Sequence, residues 1–186
     1  MAADTKLANI WPKNSIFPLY DRTIIDQTAR ELEYSAEYIK RKEQSTSNME
    51  LLKMIFADSS GMLPEMKLSD DNAIFVTESR IIRRLSAQGP CVIIGCLADF
   101  LLKQNLHCFR VFVYSDIESA ISRISRKYDL LAPKAEEEIN RINKKRVNHY
   151  WRYTGQRWGD TGNYDLVVNI SRISIDKTVE IIRSAI

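Results

Sequence analysis

Glycine is scarce in this chain. Six occur in 186 residues, and none precedes Gly61. A loop that wraps phosphate in backbone N–H groups needs glycine, because other residues resist turns with φ > 0 and block close approach. No GxxxxGK[ST] occurs anywhere, so no phosphate loop of that kind is encoded here. Cysteine is equally sparse. Cys91, Cys96 and Cys108 sit in or beside apolar runs and lack CxxC or Cys/His metal spacing. They fit buried free thiols in a reducing compartment, and no metal ligand set is expected. No apolar run approaches the roughly 20 residues of a membrane span, and the opening MAADTKLANI lacks the apolar stretch of a signal peptide. A cytoplasmic location without membrane contact is therefore expected. The net charge of +3 does not by itself imply a nucleic-acid binder; the clustering of charge matters more.

The length fits a single domain spanning residues 1–186. Asp21 can cap a helix over 22–42, and further helices are expected near 49–56 and over 73–87. Residues 59–71 read as loop. Then the pattern changes. The apolar runs 91–94 (CVII), 107–114 (HCFRVFVY) and 164–169 (YDLVVN) read as strands. Helices over 97–103, 115–127, 133–153 and 176–185 separate or follow them, the second opened by a Ser115/Glu118 capping box. Residues 16–20 (IFPLY) form an extended run in which Pro18 argues against regular central pairing. Strands separated by helices indicate an α/β fold with a mostly parallel sheet. Ligands of such sheets bind at the carboxyl ends of the strands, here Gly95–Asp99, Tyr114–Asp116 and Asn169–Ser171.

The most informative stretch is 139–169. Arg141, Lys144, Lys145, Arg146, Arg152 and Arg157 all precede the first acid, Asp160, and Tyr150, Trp151, Tyr153 and Trp158 lie among them. Such a surface suits phosphate. Ile139, Ile142, Tyr150 and Tyr153 share one helical face, and Arg146 lies on it. An arginine there must find an anion: either an internal salt-bridge partner or a bound phosphate. Asp99 has two readings, a first-turn acid favoured by the helix dipole or a ligand contact. His107 and His149 read as structural or solvated, and Cys96 as a buried thiol.

The segments GPCVIIGCLADFLL (89–102), CFRVFVYSDIESAISRISRK (108–127), INKKRVNHYWRYTGQRWGD (142–160) and NYDLVVNISRISIDKTVEII (163–182) together resemble the cytidylate kinase-like proteins of the P-loop nucleoside monophosphate kinases. KLA…PLYDRTIID (6–26) resembles the end of that family's first helix, its second strand and the following helix. The resemblance implies a three-layer fold, a parallel five-stranded sheet flanked by helices, with a mobile lid over about 123–160. It implies transfer of the γ-phosphoryl of ATP, with Mg²⁺, to a nucleoside monophosphate such as CMP or dCMP, a reaction of positioning and charge stabilisation. By the same resemblance Arg123, Arg141 and Arg146 fall where the family carries catalytic lid cations. Asp21, Asp99 and Lys145 fall on the monophosphate side.

The departures define the expectations. The family's first, central strand and its phosphate loop have no counterpart here, so no cofactor-binding residues are assigned. Cys96 stands where an arginine usually follows the glycine, and Asn143 where an acid often precedes the KKR. Loss of a central strand leaves edges unpaired, to be closed by residues 1–15, by the remaining strands, or by another chain as homo-oligomer or strand donor; or the chain is a shortened gene product. Phosphotransfer is expected to be impaired or absent. The alternatives are a pseudokinase or nucleotide-sensing domain and, last, a single-stranded nucleic-acid binder using 141–158.

Overall fold

The computed structural model describes residues 17–42, 70–95 and 97–186. In chain order these form β1 (Leu19–Tyr20), α1 (Arg22–Glu31), α2 (Ala36–Lys42), α3 (Asp70–Ala87), β2 (Val92–Ile93), α4 (Ala98–Leu101), β3 (Val111–Tyr114), α5 (Ile117–Tyr128), α6 (Ala132–Thr154), a 3₁₀ turn (Thr161–Asn163), β4 (Leu166–Asn169) and α7 (Ile175–Ala185). The expected helix near 49–56, most of the loop at 59–71, and Cys96 lie outside the described residues.

Helices alternate with parallel strands, as an α/β fold requires. The described strands form two parallel pairs. β1 pairs with β2 through Leu19↔Val92 and Tyr20↔Ile93. The Pro18 carbonyl accepts from the Val92 N–H at 2.9 Å, a role that needs no N–H of its own. β3 pairs with β4 over four residues, from Val111↔Leu166 to Tyr114↔Asn169. That register is pinned at its start. The Arg110 backbone N–H donates to Asp165 Oδ2 at 2.7 Å, and its guanidinium adds bonds of 3.1 and 2.9 Å to the same carboxylate.

The described residues divide into two compact units. One comprises described residues of Phe17–Gln104 with Arg146–Trp158; the other comprises Asn105–Lys145 with Gly159–Ile186. In the first, α1 and α3 pack a core in which Ile24, Phe75, Ile81 and Ile82 are buried together with Tyr150 and Tyr153. In the second, Ala120, Ala135, Ile142, Val168 and Val179 are buried.

Several expectations needed correction. The helix foreseen over 22–42 is two helices. Glu33 takes a left-handed φ of 56°, its N–H donating to the Arg30 carbonyl while that of Tyr34 donates to the Ala29 carbonyl. This pair of bonds is a Schellman ending, built here without glycine. Ser35 then starts α2, accepting from the Tyr38 N–H at 3.1 Å. The third helix begins earlier than expected, at Asp70, so that two acids occupy its first turn. The strand foreseen from His107 begins only at Val111, because the Asn105 side chain accepts from the His107 N–H and its carbonyl from the Cys108 N–H, making a turn. The Ser115/Glu118 capping box is not formed. α5 has Asp116 at its N-cap position, and the Ser115 hydroxyl accepts from Arg123 at 3.0 Å instead.

Candidate functional site

Parallel pairing brings the carboxyl ends of two strands to one edge. In the first unit these are Tyr20–Asp21 after β1 and Ile94–Gly95 after β2; the Ile94 N–H donates to the Tyr20 carbonyl at 2.9 Å. Gly95 turns with φ +80° and Leu97 follows at +57°, so the chain reverses sharply into the short α4 that carries Asp99. Asp21 takes the N-cap position of α1, although its carboxylate does not cap the helix.

The helix face predicted to point inward does so. Tyr150 and Tyr153 are buried, at 4% and 2% exposure, with Tyr153 stacked on Phe75 at 4.0 Å between centroids. Burial, and then the Asp71 carboxylate, raise the Tyr153 phenol above its ordinary pKa. His149 sets its ring edge-on to Tyr153 at 4.9 Å. Burial, helped by the Arg152 charge, lowers its pKa to about 4, so it is a neutral imidazole near pH 7, as a structural histidine would be.

From this packed face two polar groups emerge one helical turn apart. The Tyr150 hydroxyl donates to Asp99 Oδ2 at 2.8 Å. Arg146 is half-buried, and its guanidinium carbon lies 5.7 Å from the centroid of the Trp158 ring, within cation–π reach. Trp158 arrives there because the helix stops. Gly155 turns with φ +65°, the Thr154 hydroxyl donates to the Tyr150 carbonyl at 2.6 Å, and the same oxygen accepts from the Gln156 N–H at 3.0 Å. The carboxylate held by Tyr150 can accept hydrogen bonds from a ligand's hydroxyl, and the guanidinium one helical turn along α6 can offer positive charge to an anionic group. Of the four aromatics in the basic stretch, only Trp151, 62% exposed, stands in solvent; Trp158 packs against the core.

The remaining predicted cations lie in the second unit. Arg123 is half-buried, bonded to Ser115, with its Nε buried and without a hydrogen-bond partner; burial lowers its pKa. Arg141 is exposed and bidentate to Glu138, with bonds of 2.8 and 2.6 Å. Lys145 is half-buried. The strand ends of this unit are tied together: Asn169 Nδ2 donates to Asp116 Oδ1 at 2.8 Å, the Asp116 N–H to Ser171 Oγ at 2.9 Å, and the Ser171 N–H to Asn169 Oδ1 at 2.9 Å. Sequence reasoning named these strand ends but missed the hydrogen bond of the Tyr150 hydroxyl and the contact of Trp158 with Arg146. The signal for Tyr150 was its position four residues after Arg146 on the same face.

A sequence model of the cytidylate kinase-like family matches residues 5–172. This chain belongs to the cytidylate kinase-like family. The match spans both units, including the Asp99–Tyr150 pair and the Arg146–Trp158 contact. No curated protein matches the chain. The fold is similar to that of the crystal structure of an uncharacterized protein from Eubacterium ventriosum ATCC 27560, with a TM-score of 0.68 at 19% identity, covering 99% of this chain and 89% of that one. Among the described residues no helix is long and apolar enough to cross a membrane.

A cytidylate kinase-like lineage implies nucleotide and metal use in general.

Proposed function

We propose that this chain binds a nucleoside monophosphate, CMP or dCMP, and transfers phosphoryl from ATP weakly or not at all. The observation that carries the reading is the Tyr150–Asp99 hydrogen bond of 2.8 Å, one helical turn from Arg146. Asp99 so held accepts hydrogen bonds from the sugar hydroxyls, and Arg146 meets the phosphate with its planar fork. Asp21, at the neighbouring strand end, adds a second acceptor. Arg123 is the stronger of the two other lid candidates, because Arg141 is engaged by Glu138 on its own helix. Lys145 remains a further phosphate-side candidate by family position.

Impaired transfer is proposed because the family's means of holding ATP phosphates is a glycine loop, which these residues lack. The protein then acts as a pseudokinase or nucleotide sensor. The nucleic-acid reading is weaker, since a strand-binding surface needs several stacking platforms and the basic stretch leaves one ring exposed.

Calorimetry with CMP, dCMP and ATP, together with a coupled assay in ATP and Mg²⁺, tests both parts. Binding of a monophosphate is expected, with Tyr150→Phe weakening it about five- to tenfold through loss of one charge-assisted hydrogen bond. Absence of nucleotide binding would remove the reading. Turnover of roughly 1–100 s⁻¹, the ordinary kinase range, would remove the claim of impairment.

A further inference from the structure

We infer that Trp158 is the positioning residue for Arg146, the aromatic plane that holds the guanidinium where a phosphate can meet it. The inference rests on the nucleotide reading above and adds a residue to it. Three observations carry it. The Arg146 guanidinium carbon sits 5.7 Å from the Trp158 ring centroid. Trp158 packs against the buried cluster that includes Tyr150 and Tyr153 while remaining partly exposed, so the ring is anchored to the core. The chain that leads to it leaves α6 through the Gly155 turn and the Thr154 bonds to Tyr150 and Gln156.

The chemistry follows from the charge of the group. A cation–π contact acts through the guanidinium's charge and uses none of the hydrogen-bond acceptors that a phosphate would supply. A long arginine side chain otherwise loses rotamer freedom when it binds. A ring that already restricts it reduces that cost, and affinity rises without any contact between the ring and the ligand. Trp158 thus acts through Arg146, from an inward helix face that also presents Tyr150 to Asp99.

The test uses the full chain and the variants Trp158→Leu, Trp158→Phe, Arg146→Met and the double variant Trp158→Leu/Arg146→Met. The first readout needs no ligand. The side-chain Nε–Hε resonance of Arg146, identified by its loss in Arg146→Met, is expected to carry an upfield ring-current shift that Trp158→Leu abolishes and Trp158→Phe partly keeps. An unchanged resonance in Trp158→Leu overturns the inference. The second readout is CMP affinity by calorimetry. Trp158→Leu is expected to weaken binding about tenfold, with Trp158→Phe retaining most of it and the double variant binding no worse than Arg146→Met. Additive losses would mean that Trp158 serves packing alone, and overturn the inference. If Trp158→Leu does not fold, Trp158→Phe supplies both readouts. Absence of CMP binding by the unmodified chain overturns the nucleotide reading, and the ring-current comparison still decides whether Trp158 holds Arg146.

Discussion

Asp165 accepts three hydrogen bonds from one residue: the backbone N–H, the Nε and an Nη of Arg110. In return the Asp165 N–H donates to the Arg110 carbonyl at 2.8 Å. Two residues far apart in sequence therefore meet just ahead of the first rung of the β3–β4 pair, Val111↔Leu166.

The Arg110 side-chain and backbone donors hold the Asp165 carboxyl below the usual carboxylate range. A lowered folded pKa contributes stability above the unfolded value of about 3.9, and that contribution disappears as pH falls through the folded pKa. Asp165→Asn is expected to cost about 1 kcal/mol at pH 7, at the low end for a charged hydrogen-bond acceptor because both partners are partly exposed. Urea titrations at a series of pH values check it. The difference between the two proteins should shrink as pH falls below about 3.9.

His149 has the opposite sign. Its folded pKa is about 4, below the unfolded value of about 6.5. Below pH 6.5 the unfolded chain takes up a proton that the folded protein refuses, so stability falls between pH 6.5 and 4 and levels off below. The loss amounts to about 3 kcal/mol. His149→Phe keeps an aromatic ring against Tyr153 and removes the titration. Its urea midpoint should lack this acid-side decline, and a decline equal to that of the unmodified chain would contradict the assignment.

Gly159 follows Trp158 with φ +76°, and a Cβ built there would lie 3.0 Å from Cζ of Phe112. Phe112 cannot move freely, since its ring also packs on Tyr164 at 4.9 Å. Gly159→Ala thus combines left-handed strain with a clash. A loss of about 1–2 kcal/mol is expected, measured as a lower urea midpoint. An unchanged midpoint would show that the loop rearranges without cost.

The parts of this fold legible in the sequence are those governed by long periodicity. Ile142, Tyr150 and Tyr153 repeat at helical spacing and are all buried, so α6 and the inward placement of Arg146 followed directly. The chemistry at Glu33 did not. A left-handed ending is normally a glycine position, and a glutamate gives no signal for it. Asn105 shortened β3 by a side-chain turn that apolar counting does not see. At the candidate site the two ends of the Tyr150–Asp99 bond lie on separate elements, so that pairing depends on packing. Trp158 reaches Arg146 only through the turn at Gly155, and helical spacing cannot anticipate a contact made after the helix has ended.

The β1–β2 pair has only two rungs, and it joins residues separated by most of the first half of the chain. Closing so long a loop is entropically unfavourable, and two rungs cannot offset it. The docking of α1 on α3 closes nearly the same loop and buries Ile24, Phe75, Ile81 and Ile82, so apolar burial, more than strand pairing, offsets the closure that brings Asp21 and Gly95 to one edge.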